Sequence, residues 1–323
     1  MSRAEGVDDT ESTAGFRIEL PEGSLDIHDL SVGEPAPQAP VVLAVHGITA
    51  NGLSWVCVAD ELFRRRGPGS VRFLAPDLRG RAGSRQAPGP YGLGTHADDV
   101  LAIADAFAVK PVLVGHSMGA FVTALACSRA PERVAGSVLL DGGFTFPPPP
   151  DLDVDAAITA VSGPAMTRLS MRFASPDAYL EFWREHPAVG PALDGPQASE
   201  LRRYLLHDLV KDTGADGTGA AWVSSCVLDA VRADGADVLA HAEAHAAAAR
   251  AAAAGVVTEF VWAQRGLFDE AQGLYDEQRI AALGLPDAIQ VTPAPGTNHY
   301  TLVLGRAGAS VVVDAIERRL DGV

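Results

Sequence analysis

The sequence predicts an α/β fold: a mostly parallel sheet with helices on both faces, and a block of helices inserted into it. Three observations carry this. Apolar runs without alternation, such as Val41-Val42-Leu43-Ala44-Val45 and Val112-Leu113-Val114, read as strands buried on both faces, the mark of a parallel sheet. Helical patterns alternate with these strands, as a sheet covered on both sides requires. From residue 146 to about 254 that rhythm stops and the patterns turn helical, with Gly and Pro interruptions, before the alternation resumes.

In chain order, residues 1–15 are polar and acidic, lack the apolar stretch of a secretory signal, and are expected to be a disordered tail. Residues 16–20 and 25–30 alternate with period two around Pro21-Glu22-Gly23, an antiparallel hairpin at a sheet edge. The strand 41–45 runs into His46-Gly47-Ile48-Thr49, and a helix over 54–66 turns Trp55, Val58, Ala59, Leu62 and Phe63 inward. A strand at 71–75 precedes the turn-rich 76–84, and Thr95 can cap a helix through 107. The strand ending at Gly115 leads into a helix, and 134–140 is the next strand, closing on Asp141-Gly142-Gly143. In the insertion, 147–150 is a stiff proline linker, followed by helical candidates at 155–162, 176–185, 197–208, 223–232 and the Ala-rich 237–254, with no period-two run. The core then resumes with a strand at 256–263, a helix at 274–283, a strand at 289–292 and a closing helix at 310–320. The domain reading is a core formed by 16–146 and 255–323, with 147–254 inserted.

Composition narrows the partners. The chain of 323 residues is 47% hydrophobic and 20% charged, a soluble globular composition with room for one large core. A net charge of −16 repels nucleic acid and anionic membranes alike, and neither is expected as a partner; a small-molecule substrate is expected, but the charge does not identify it. No apolar run reaches membrane-spanning length. The three cysteines, Cys57, Cys127 and Cys226, are odd in number and lack metal-ligand spacing. They fit buried thiols in a reducing, cytoplasmic setting. Oligomeric state is not readable.

Chemistry concentrates at Gly115-His116-Ser117-Met118-Gly119, a Gly-x-Ser-x-Gly pattern between a strand and a helix. In that context it is a nucleophile elbow, with Ser117 on the bend. A serine hydroxyl needs a base, and the base needs a partner to fix its tautomer. Of nine histidines, His299 is favoured, because it lies in the loop after the final strand, on the rim shared with the elbow. A histidine base implies activity rising with pH through about 6–7. For the acid, Asp269 follows the strand 256–263 and is preferred, with Asp141 as the rival at the same rim; Asp77 and Asp276 read as turn and helix residues. The backbone N–H groups of Met118 and Ile48 are the expected oxyanion donors. His28, His96, His186 and His207 read as surface or structural. His241 and His245 stand four apart on the Ala-rich helix, but no third ligand is nearby, so neither metal nor cofactor is expected.

Strand–His46-Gly47, Pro76-Asp77-Leu78-Arg79-Gly80, the elbow, Arg265-Gly266-x-x-Asp269 and Asn298-His299, in that order, resemble the α/β-hydrolase fold superfamily. The similarity is greatest to its bacterial esterases, lactonases and carbon–carbon-bond hydrolases with a helical cap. The resemblance covers roughly 16–146 and 255–323 and implies that 147–254 is a cap walling the pocket. Pocket candidates are then His46, Phe182, Trp183 and Trp222, with Met166, Met171 and Phe173 as further apolar lining or as the cap's own core. Relatives with an aspartate nucleophile carry Asp where this chain has Ser117, and carbon–carbon hydrolases often carry Asn where it has His116. The implied activity is cleavage of a neutral, moderately apolar carboxylic ester or lactone through an acyl-enzyme. The alternatives are carbon–carbon hydrolysis, perhydrolysis or cyclisation with the same triad, or a ligand-binding signalling role.

Overall fold

A computed structural model describes residues 15–20, 22–145, 167–214 and 219–322. The expected linker at 147–150, the helix at 155–162, Met166 and all of the expected tail except Gly15 lie outside these residues. The strands are β1 (Gly15–Leu20), β2 (Gly23–Asp29), β3 (Val41–Val45), β4 (Arg72–Pro76), β5 (Val112–His116), β6 (Gly136–Leu140), β7 (Leu209–Asp212), β8 (Ala221–Ser224), β9 (Thr258–Arg265) and β10 (Ile289–Asn298). Eight of them form one sheet in the order β1-β2-β4-β3-β5-β6-β9-β10. β1 and β2 are the antiparallel edge hairpin, and the six from β4 to β10 run parallel.

Alternate residues of each central strand feed opposite faces, as the period of two demands. Val42, Ala44, Val112 and Val114 join one apolar cluster with Trp55 and Leu62. Val41, Leu43, Val45 and Leu113 join the other. The first face is covered by α1 (Val56–Arg66) and the second by α2 (Leu93–Asp105) and α3 (Met118–Arg129). β10 continues past the expected end at 292, through Pro293 and Pro295. At the sheet edge it has one neighbour, so the missing proline N–H groups can face away from the ladder.

The insertion differs from its sequence reading in two ways. It holds a hairpin, β7 and β8, with Phe173 bridged to Trp222 beside it; strands of four residues are too short to show a period. Its helices α4 (Pro176–Arg184) and α5 (Ala198–His207) stand near their expected places. The helices expected at 223–232 and 237–254 are instead α6 (Leu228–Ala240) and α7 (Ala242–Ala253), so the break falls at His241 and residues 237–240 belong to the first of them. His241 leaves the helical conformation at ψ 98° and its Nδ1 accepts the Ala244 N–H at 3.2 Å, capping α7. His245 Nε2 bonds the Val238 carbonyl, so each ring already serves the local backbone. Ala244, Ala247, Ala248 and Ala251 pack α7 onto the core beside α3. Residues 242–253 therefore help to cover one face of the sheet. The chain closes with α8 (Glu277–Leu283), α9 (Thr301–Leu304) and α10 (Arg306–Leu320).

Buried ion pairs fasten the insertion down. Arg81, in the loop after β4, meets Asp234 of α6 at 2.6 Å with both side chains fully buried. Asp234 also takes His96 Nε2 at 3.0 Å and the Gly92 N–H at 2.8 Å. Burial works against the charged Asp234, but Arg81 and His96 outweigh it and hold the carboxyl below its ordinary range. Asp234→Ala leaves Arg81 buried without its counter-charge and is expected to cost about 3–5 kcal/mol of stability, read by urea unfolding. Because the folded-state pKa is depressed, this contribution is complete above about pH 4 and is lost as pH falls through the folded value. The gap between wild type and variant is therefore expected to narrow in acid; a gap unchanged down to strongly acidic pH contradicts the assignment.

Candidate active site

β5 delivers Ser117 at a turn that only these neighbours permit. Ser117 sits at φ 57°, ψ −122°, a left-handed conformation costly for a non-glycine residue, with α3 starting at once behind it. A Cβ on Gly115 would run into the Gly119 carbonyl, and one on Gly119 into that of Val45, so both glycines are needed for the strand–helix approach. The Ser117 N–H is tied to the Leu140 carbonyl at 2.9 Å, which fixes the bend against β6.

The residue after β6 is Asp141, itself at φ 45° and 1% exposed. Its Oδ1 accepts the Ala263 N–H at 3.0 Å and its Oδ2 meets His299 Nδ1 at 2.6 Å. His299, 4% exposed, follows the end of β10. Donation from Nδ1 to the carboxylate leaves Nε2 as the basic nitrogen of the neutral ring. Sequence reasoning preferred Asp269 here, and the structure places it elsewhere. Asp269 is claimed by Arg265, Nε to Oδ1 at 2.7 Å and Nη2 to Oδ2 at 2.9 Å, and by Asn298 Nδ2 at 3.1 Å. The Arg265 guanidinium holds its carboxyl below the usual range. An arginine four residues back, at the end of β9, outcompetes a histidine that already has Asp141.

Ser117, His299 and Asp141 line one cavity of about 350 Å³. Among the described residues no hydrogen bond joins the Ser117 hydroxyl to His299; such contacts often tighten only when substrate binds. Ile48 and Met118 line the same cavity. Neither of their N–H groups donates to a protein acceptor among the described residues: Met118 opens α3, where N–H groups lack intrahelical partners. Arg81 grips the Ile48 carbonyl through Nε at 3.0 Å and Nη2 at 2.8 Å, so the loop bearing that N–H is held from behind by the same arginine that meets Asp234.

Other candidates separate cleanly. Trp183 lines the cavity. Phe182 and Trp222 do not; they pack beside Phe173, against the apolar cluster that also takes in Val42 and Val112 of the sheet. His46, expected in the pocket, is fully buried beside it, where Nδ1–H donates to the Gly47 carbonyl at 2.8 Å and Nε2 accepts the Leu78 N–H at 3.0 Å. Burial pushes it down to about 3, so it is a neutral brace between two loops. His116 supports the loop that carries His299. Its Nε2–H donates to the His299 carbonyl at 2.9 Å, the rings lie 4.6 Å apart, and burial keeps it neutral, well below the ordinary histidine value. The signal available for it was its place inside the elbow motif, next to Ser117. Apolar side chains dominate the rest of the wall, including Phe121, Phe144, Leu267 and Val303. The described lining residues include no lysine, arginine or glutamate.

Comparisons with known proteins agree with this fold. Residues 40–177 match the α/β hydrolase fold family. No curated protein sequence matches the chain. Among solved structures, E-2-(acetamidomethylene)succinate hydrolase is similar with a TM-score of 0.65 at 20% identity, covering 95% of this chain and 98% of that one. The thioesterase domain from the curacin biosynthetic pathway gives 0.63 at 16%, covering 95% and 99%. A thermophilic esterase from Thermogutta terrifontis gives 0.61 at 18%, covering 95% and 98%. No helix among the described residues is long and apolar enough to cross a membrane. Sheet order, the elbow and the match over residues 40–177 together show that this chain has the α/β-hydrolase fold.

Proposed function

We propose that the chain is a serine hydrolase that cleaves a neutral, moderately apolar carboxylic ester or lactone through an acyl-enzyme. The observation that carries this reading is the buried 2.6 Å His299–Asp141 pair, opening on the same cavity as Ser117 at its strained elbow. Ser117 Oγ attacks the carbonyl carbon while His299 Nε2 takes its proton, and Asp141 stabilises the imidazolium. The Ile48 and Met118 N–H groups receive the oxyanion, where one such donor is commonly worth about 10²–10³ in rate. His299 returns the proton to the leaving alcohol, then draws a proton from water, which attacks the acyl-serine; the acyl–Oγ bond breaks, that proton passes to Ser117 Oγ, and the acid leaves. This sequence uses only protein groups and water. The described lining residues include no cationic side chain to neutralise an anionic substrate, which supports a neutral one.

The test is a fluorophosphonate probe together with p-nitrophenyl esters of rising acyl length, plus an acyl chain ending in a carboxylate. The expected result is a single label on Ser117, many turnovers on the neutral esters, and kcat/KM for the carboxylate-ended ester lower by roughly tenfold or more, as for a desolvated unpaired charge. Stoichiometric release with no further turnover supports a binding role instead. A preference for the anionic ester overturns the substrate class.

A further inference from the structure

Away from the cavity, three residues scattered in sequence converge. His28 lies on β2, Asp77 directly follows β4, and His207 ends α5 of the insertion. Asp77 Oδ2 is 3.1 Å from His28 Nε2 and 3.0 Å from His207 Nε2. The two imidazoles stand edge to face with centroids 4.9 Å apart, and one donor atom from each of the three residues lies within 4.8 Å of the others.

Hydrogen bonding accounts for only part of this cluster. His207 Nε2 bonds Asp77 Oδ2, but His28 Nε2, on a residue 8% exposed, has no hydrogen-bond partner although it faces the same oxygen. A buried ring nitrogen left unmatched is costly. We propose that His28, Asp77 and His207 form a binding site for one divalent transition-metal ion, zinc by preference, that ties the insertion to the edge strands of the sheet.

The donor set and its surroundings fit that ion. Two imidazole nitrogens and one carboxylate oxygen suit zinc, cobalt or nickel, whereas magnesium and calcium favour all-oxygen shells. Bonds of about 2.0–2.2 Å in a tetrahedron set neighbouring donors about 3.3 Å apart, a few tenths of an ångström wider than the two measured N–O separations. The carboxylate is already oriented, since Oδ1 accepts the Gly52 N–H at 2.7 Å and Oδ2 the Gly83 N–H at 3.0 Å. Gly52 also makes room for the ligand ring: a Cβ there would run into His28 Cδ2 and the Ala75 carbonyl. Each imidazole presents its Nε2 lone pair by carrying its proton on Nδ1, so the Nε2–H that His207 directs at Asp77 must move to Nδ1 or leave as the ion binds. The His207 side chain, 30% exposed, provides the path from solvent, and a water completes the coordination.

The test uses the full chain, purified without a histidine tag and stripped with a chelator, then titrated with Zn²⁺ by calorimetry and with Co²⁺ by visible absorption. One ion per chain, the intense ligand-field bands of tetrahedral Co²⁺, and a melting temperature that rises with Zn²⁺ are expected. His207→Gln and His28→Gln, neither of which touches the cavity, are each expected to weaken Zn²⁺ binding by roughly 100-fold or more, since even a lost supporting contact costs 10–100-fold. The His241→Gln/His245→Gln double variant is expected to bind as wild type. No stoichiometric uptake, or uptake unchanged in both single variants, overturns the proposal, as does loss of uptake in the double variant alone. A Ser117→Ala background separates this result from any outcome for hydrolysis.

Discussion

Ser117→Ala is expected to lower kcat on the best neutral ester by roughly 10⁴-fold or more, the scale seen when a triad nucleophile is removed, while thermal unfolding stays within a few degrees of wild type. The hydroxyl makes no protein hydrogen bond among the described residues, so deleting it empties no core and orphans no partner. Alanine keeps the strained backbone, because its Cβ meets the same steric conflict at φ 57°. Glycine does not: Ser117→Gly is expected to be equally inactive but more stable than Ser117→Ala by about 1 kcal/mol or more, the strain released at a left-handed position. The pair isolates what the elbow spends in stability to hold its nucleophile. Urea denaturation of both variants, with steady-state rates on the same ester, reads it. Wild-type turnover in Ser117→Ala removes the covalent mechanism, and a glycine variant less stable than the alanine one removes the strain argument.

The sheet was legible because its central strands are buried on both faces and so carry unbroken apolar runs, Val41–Val45 above all. Helix α1 was legible from its inward stripe. What escaped was set by tertiary context. Pro293 and Pro295 argue against a strand until β10 proves to be an edge. His241 looks like one more residue of an alanine-rich helix, yet its side chain competes for the Ala244 N–H and splits the stretch in two. Ser117 and His299 were identified from their motif and rim positions, and the structure places both on one cavity. The choice between Asp141 and Asp269 was not decidable from rim position, since both occupy it. The deciding facts are a backbone amide, Ala263 N–H, that orients Asp141 and an arginine that occupies Asp269. The convergence of His28, Asp77 and His207 required the hairpin, the loop after β4 and the insertion to be folded together before any of it could be seen.

Asp141→Asn against Asp269→Asn is the sharpest way to assign the acid. In Asp141→Asn the amide keeps the size of the carboxylate and can still accept the Ala263 N–H through its oxygen. The atom facing His299 Nδ1 then becomes an NH₂ donor, which pairs only with an unprotonated Nδ1. That drives the ring proton to Nε2, the nitrogen that must be free to deprotonate Ser117, and removes the charge that stabilises the imidazolium. A fall in kcat of about 10³–10⁴ with little change in KM is expected, as for a triad whose histidine is locked in the wrong tautomer. Asp269→Asn breaks a half-exposed ion pair with Arg265, which solvent screens to within about 1 kcal/mol of stability, and is expected to leave kcat within a few-fold. Its contact with Asn298, beside His299, is the one route by which it can reach the site, and an asparagine oxygen there still accepts from Asn298 Nδ2. The opposite pattern, an inactive Asp269→Asn with an active Asp141→Asn, would require the rim loop to rearrange on substrate binding so that Asp269 leaves Arg265 and displaces a buried carboxylate from a 2.6 Å contact. The cost of stripping that contact from a buried carboxylate is why the kinetics of the two variants are expected to differ by orders of magnitude in favour of Asp141.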